Sequence, residues 1–75
     1  MRDIHFSDSR EPGTYKPCLH EGRRTAFVIC PECGTRLLLN PHIVTDTGEV
    51  LPSVVCRAPC AFHEFIRLVD WRPER

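Results

Sequence analysis

The apolar residues of this chain fall into short runs separated by turn-forming residues, a pattern typical of strands. Residues 25–29 are β-branched and aromatic and predict one strand, and residues 35–39 predict a second. A turn signal at residues 46–48 precedes a third predicted strand over residues 50–56. Pro52 lacks a backbone donor, so we expect it near the start of that strand or at a sheet edge. The middle of the chain is therefore predicted to be mainly β.

The segment 61–71 fits two patterns. From Phe62 onward its apolar residues recur at the i, i+3, i+4, i+7 spacing of a helical face. As a strand, the same segment places Glu64, Ile66 and Leu68 on one face. Periodicity alone leaves both structures open.

The first 24 residues are polar and are interrupted by Pro12, Gly13, Pro17 and Gly22. This composition favours loops over regular elements. We expect an irregular N-terminal arm over residues 1–24, with one short extended piece around residues 14–16, followed by one domain over residues 25–75.

Chain length limits how this protein can be stabilised. Its 75 residues allow one small domain, which buries only about 60% of its extended surface on folding. Such domains usually need a disulfide, a metal or a partner chain. The five cysteines are the obvious candidates. Ten basic and ten acidic side chains give no formal net charge, which argues against binding duplex nucleic acid through bulk electrostatics.

The cellular compartment decides how the cysteines are interpreted. Residues 1–10 contain no apolar run that resembles a signal peptide, and no stretch approaches the roughly 20 apolar residues of a membrane span. We therefore expect a cytoplasmic protein without a membrane partner. In a reducing compartment, clustered cysteines more often bind metal or catalyse than form disulfides.

Four of the cysteines form two close pairs. Cys30 and Cys33 stand in the sequence CPECG, and Cys56 and Cys60 follow after a gap of 22 residues. Two such pairs flanking a hairpin-like stretch are typical of a zinc ribbon, in which one Zn²⁺ is bound by four thiolates. Because the protein fills every position of the tetrahedron, the predicted site is structural. The predicted fold is a small, mainly β zinc ribbon.

Other interpretations of the cysteines remain open. Five cysteines allow fifteen disulfide arrangements with one left over, and a Cys-x-x-Cys pair can also serve redox chemistry. In a third alternative, Cys18, His20 or His63 replaces Cys60 as a zinc ligand, since histidine is an ordinary ligand of zinc.

The chain from residue 30 to 71 resembles a known group of proteins. Its segments CPECG, LPSVVC and CAFHEFIRLVDW are similar to small zinc-ribbon proteins, many of them encoded by bacteriophages. The resemblance implies that residues 62–71 form a strand leaving the second cysteine pair. It also implies an accessory protein that binds a host protein in the host cytoplasm, and it implies no activity. Ala61 departs from the pattern, which has glycine there.

A protein partner is the first functional hypothesis. Trp71, Arg67 and Arg72 have the aromatic and arginine composition of interface hot spots. We expect two of the three residues Phe62, Phe65 and Ile66 to lie in the core, because so small a domain has few other apolar side chains to bury. Trp71, near a polar terminus, is the better interface candidate.

Nucleic-acid binding is the alternative hypothesis. Zinc ribbons occur in transcription and replication machinery, which is an analogy of fold only. Arg23 and Arg24 form the local basic cluster that could contact phosphates. We do not expect an enzyme, because the predicted metal site is closed and the sequence has neither a Gly-rich phosphate loop nor an HExxH motif. The sequence leaves the oligomeric state undefined.

Overall fold

Seven strands make up the computed structural model, which describes residues 1–40, 42–57 and 59–72. The strands are β1 (Arg2–Phe6), β2 (Thr14–His20), β3 (Arg23–Ile29), β4 (Arg36–Leu38), β5 (Ile43–Val44), β6 (Glu49–Val55) and β7 (His63–Leu68). They form one sheet in the order β4-β3-β2-β1-β7-β6-β5. The mainly β fold expected from the sequence is confirmed. Within the described ranges, no helix has the length and apolar character to cross a bilayer.

Strand β1 joins two antiparallel groups of strands. Its first half, with Arg2 opposite Ile66, runs parallel to β7, while its second half, with His5 opposite Thr14, runs parallel to β2. Among the described strands, the groups β2–β3–β4 and β5–β6–β7 are therefore paired in the sheet only through this five-residue strand. Side chains from both groups meet in one core cluster, so the sheet folds over on itself around β1.

Residues 1–24 differ from the expected irregular arm, because they contribute β1 and β2 to the middle of the sheet. Their turn-forming residues lie between the strands. Glu21 and Gly22 have φ of 51° and 78° and form a two-residue hairpin loop between β2 and β3, the conformation that a type I′ turn requires. Pro17 lies beyond the last residue of β2 that pairs with β1, where β2 has one neighbour only.

The ambiguous segment 61–71 forms strand β7. Ile66 and Leu68 are fully buried on its inner face, as the strand alternation predicts. Phe65 points outward and is 51% exposed, whereas Phe62 is buried next to the strand. Two of the three apolar residues 62, 65 and 66 thus lie in the core, which confirms that expectation.

The core spans both strand groups. Its buried members come from five of the strands and from segments between and after strands: Ile4, Tyr15, Ala26, Val28, Cys30, Leu39, Val50, Val54, Cys56, Phe62, Ile66, Leu68 and Trp71. The Tyr15 ring lies 6.1 Å from that of Trp71, and the Tyr15 hydroxyl donates a 2.8 Å hydrogen bond to the carbonyl of Val69. Because Tyr15 belongs to β2 and its partners follow β7, these contacts hold the two groups face to face.

The turn between β5 and β6 is built on Gly48, which is buried and has a φ of 91°. Its carbonyl accepts a 2.7 Å hydrogen bond from the backbone N–H of Leu68. A Cβ at this position would clash with the Leu68 carbonyl and lie 3.0 Å from the Cβ of Trp71. The close approach of turn and β7 therefore requires glycine.

Substitution Gly48→Ala should destabilise the protein by about 3 kcal/mol, because it adds a steric clash with the backbone to the cost of a left-handed conformation. Gly22→Ala is the matched control, since Gly22 also has positive φ but a Cβ there would meet nothing within 4 Å. That control should lose about 1 kcal/mol. Urea unfolding would measure both, and equal losses would contradict the close approach at Gly48.

Candidate metal centre

The two cysteine pairs lie at the tips of two hairpins. Cys30 and Cys33 occupy the turn between β3 and β4, and Cys56 and Cys60 occupy the turn between β6 and β7. The four sulfur atoms all lie within 4.8 Å of one another. The hairpins come from the two strand groups on either side of β1, so the cluster joins parts of the sheet that have no backbone pairing with each other.

The sulfur positions fit a tetrahedral metal ion. The Sγ atoms of Cys30 and Cys60 are 3.7 Å apart, and those of Cys33 and Cys56 are 3.6 Å apart. Four thiolates at about 2.3 Å from a tetrahedral Zn²⁺ would be separated by about 3.8 Å. A disulfide requires about 2.05 Å, and all four cysteines are free thiols. The cluster can therefore hold a metal ion such as zinc, and the disulfide alternative does not apply to it.

Backbone hydrogen bonds shape both turns. The N–H of Gly34 donates to the carbonyl of Cys30 at 2.9 Å, and Gly34 has a φ of 79°, as the sequence CPECG predicts. In the second turn, the N–H of Cys60 donates to the carbonyl of Arg57 at 3.1 Å. Ala61 needs no left-handed conformation in this longer turn, so alanine can take the place of the expected glycine.

As thiols, the cysteines of the cluster titrate differently. Hydrogen bonds from the hydroxyl and backbone N–H of Thr35 lower the pKa of Cys33 to about 6. Burial, together with the neighbouring thiols, raises the pKa of Cys56 to about 12. The N–H of Phe62 acts to lower the pKa of Cys60, but burial and the neighbouring thiols outweigh it and raise that pKa. Cys33 is also solvent-exposed, so it is the thiolate that forms most readily.

The proposed substitute ligands lie outside the cluster. Cys18 and His20 are on β2, and the four-sulfur group includes neither of them. His63 begins β7, and its Nε2 lies 2.8 Å from Oγ of Ser53, with which it forms a hydrogen bond. Sequence reasoning missed this contact, since it depends on the pairing of β6 with β7, in which Val55 lies opposite His63.

An arginine outside both cysteine pairs supports the first turn. Arg2 on β1 forms ion pairs with Glu32, between Cys30 and Cys33, at 3.5 Å and with Glu64 on β7 at 3.1 Å. Because Arg2 and Glu64 are 62 residues apart in the chain, no sequence pattern could have paired them. These contacts join β1, the first cysteine turn and β7 beside the cluster.

The candidate partner residues have different environments. Trp71 is only 9% exposed and packs in the core, so it offers little surface to a partner. Arg67 is half-exposed and forms a 3.3 Å ion pair with Asp3. Arg23, Arg24 and Arg72 are exposed, the first two at the start of β3.

Comparisons of the chain with protein families, with curated proteins and with solved structures found no match.

Substitution Cys56→Ser should lower the affinity for Co²⁺, a spectroscopic substitute for zinc, by more than about 100-fold. Loss of a hydrogen-bond partner of a metal ligand usually lowers metal affinity by up to about 100-fold, and loss of the ligand itself should cost more. The charge-transfer and d–d absorption of a tetrahedral tetrathiolate cobalt site would report the loss. Cys18→Ser is the control and should leave the spectrum and the affinity unchanged. A spectrum altered by Cys18→Ser and not by Cys56→Ser would contradict the assigned ligand set.

Proposed function

We propose that this protein is a small interaction module built around one structural Zn²⁺, bound by Cys30, Cys33, Cys56 and Cys60. The observation that carries the proposal is the convergence of four free thiols at tetrahedral separations. A metal that is bound by four protein thiolates has no position left for substrate or water, so its contribution is structural. Zinc would stabilise the thiolate form of all four side chains when bound.

The position of the cluster explains why a chain of this size would need the metal. The two hairpins that contribute the ligands are otherwise connected through β1 and through side-chain packing. Zinc binding to such domains supplies about 10–16 kcal/mol, which counts as folding free energy when the unfolded chain has no preformed site.

Removal of zinc with a strong chelator should unfold the protein, with loss of the near-UV circular dichroism of the packed Tyr15 and Trp71. Added zinc should restore the signal at one ion per chain, measured by native mass spectrometry. A cooperative thermal transition retained in excess chelator would contradict a structural zinc.

The outer side of β5, β6 and β7 supports a protein partner. Five large apolar side chains that are each more than 40% exposed lie on these strands and at the adjoining N-terminus. We call this group the apolar face; its members are Met1, Ile43, Leu51, Val55 and Phe65. Leu51 is the register partner of Ile43, and Phe65 lies on the neighbouring strand β7. Exposed apolar patches with polar surroundings commonly mark protein interfaces.

The sequence suggested Trp71 as the aromatic contact with a partner, and we propose Phe65 in this role instead. It alternates along β7 with Arg67, which points outward on the same side. An exposed aromatic ring beside an arginine is the composition of an interface hot spot. We therefore retain Arg67 as a proposed partner-binding residue, and we propose that Phe65, not Trp71, supplies the aromatic contact. A phage-type accessory protein that binds a host protein is the form of this proposal that the sequence resemblance implies.

Substitution Phe65→Glu should abolish capture of the protein partner from a lysate of the source cells, because a charge would be buried in the centre of the interface. Leu19→Glu is the matched control, since Leu19 is 70% exposed on β2, outside the apolar face. Both variants should keep the zinc content of the wild type. Equal capture by wild type and Phe65→Glu would remove the apolar face from the proposal.

Nucleic-acid binding remains the second candidate function. Arg23 and Arg24 are adjacent and exposed, which fits phosphate contacts, whereas the zero formal net charge favours a protein partner. A basic site of this kind would bind less tightly as salt rises.

A further inference from the structure

A groove on the outer side of β2, β3 and β4 lies apart from both the cysteine cluster and the apolar face. It has a volume of about 270 Å³ and is bounded on one side by residues from the loop between β1 and β2. Phe27 and Ile29 of β3 form its apolar floor, and Cys18 of β2 also lines it. The groove therefore combines an apolar floor with walls formed by a loop and by side chains of the strands.

The charged residues of the groove are mainly basic. Arg10, Lys16 and Arg36 line it, against a single carboxylate, that of Asp8. Asp8 forms a 3.6 Å ion pair with Lys16. Within the described residues, Arg10 and Arg36 form no ion pair, so the groove carries two guanidinium groups that are available to a ligand. Its charge complements an anion.

The position of Arg36 adds a second feature. Its guanidinium lies over the Phe27 ring at 4.4 Å from the centroid, a cation–π arrangement. The positive charge of Arg36 also reaches Cys18, where it acts to lower the pKa of a thiol whose pKa burial raises overall. A guanidinium that lies over an aromatic ring leaves its other side for stacking with a planar ligand.

From this geometry we infer that the groove binds a nucleotide unit, with its base stacked on the outer side of the Arg36 guanidinium and its phosphate held by Arg10. Inorganic phosphate would leave the apolar floor uncovered, and an uncharged aromatic would leave the guanidinium groups without a counter-charge. A planar base joined to a phosphate satisfies both parts of the groove. The same chemistry is present in a free nucleotide and in one unit of a single-stranded nucleic acid.

The volume supports a ligand of this size. At about 270 Å³ the groove is close to the lower limit of small-molecule pockets, about 300 Å³, so one nucleotide unit would fill it and a larger ligand would extend onto the surrounding surface. An oligonucleotide would place one unit in the groove and its neighbours on the surrounding surface. None of the groove residues belongs to the cysteine cluster or to the apolar face, so failure of this inference would leave the proposed zinc site and protein partner standing.

The test is a titration of the ¹⁵N-labelled protein, as purified, with AMP, adenosine, inorganic phosphate and a short oligoadenylate. AMP should shift the amides of Lys16, Cys18 and Phe27 and bind more tightly than adenosine or phosphate. Tighter binding of the oligoadenylate would identify the polymer as the source, and tighter binding of AMP would identify the free nucleotide.

Variants locate the binding. Arg36→Gln and Arg10→Gln should each weaken AMP about tenfold, the usual effect of losing one charge-assisted contact. Arg57→Gln is the control, since Arg57 is exposed but does not line the groove. The inference is overturned if AMP shifts no amide of the groove. It is likewise overturned if phosphate binds as tightly as AMP, or if Arg57→Gln weakens AMP as much as Arg36→Gln.

Discussion

The structure depends on the meeting of four thiols at the tips of two hairpins. Each hairpin is a local element that a short chain forms easily, but one belongs to β3–β4 and the other to β6–β7, which are not hydrogen-bonded to each other. The sulfur separations near 3.7 Å fit a tetrahedral metal and no covalent bond between sulfurs. A single ion at this point would fix the relative position of the two strand groups more strongly than the limited core of 75 residues could.

Strand β1 is the second connection between the groups. It pairs in parallel with β2 and with β7, using different residues for each. Arg2 of this strand forms ion pairs with the first cysteine turn and with β7. Ile4 of the same strand is fully buried. These ion pairs are partly exposed and contribute modestly to stability, so their role is to align the elements beside the cluster. The Tyr15 hydrogen bond to Val69 serves the same alignment within the core.

The sequence predicted those features that local pattern determines. The cysteine pairs, the left-handed Gly34 and the strands on either side of the first pair all follow from residue type and short spacing. Strand β1 and most of β2 were missed, because their polar outer residues and turn formers resemble a loop and the partner strand β7 lies far along the chain. The burial of Trp71 was missed for a similar reason. Trp71 packs against Tyr15 of β2, which is far from it in the sequence.

The parallel pairing of β1 with β7 has a consequence for biosynthesis. Residues 2–4 are made more than sixty residues before their partners, residues 66–68. The second cysteine pair likewise follows the first by more than twenty residues. Neither the central strand nor the four-sulfur cluster can be completed until both partners have been made, because contacts of such long sequence separation must wait for the later one. The domain therefore completes its fold only once β7 is available, with the apolar face and the strand edges exposed to other chains until then.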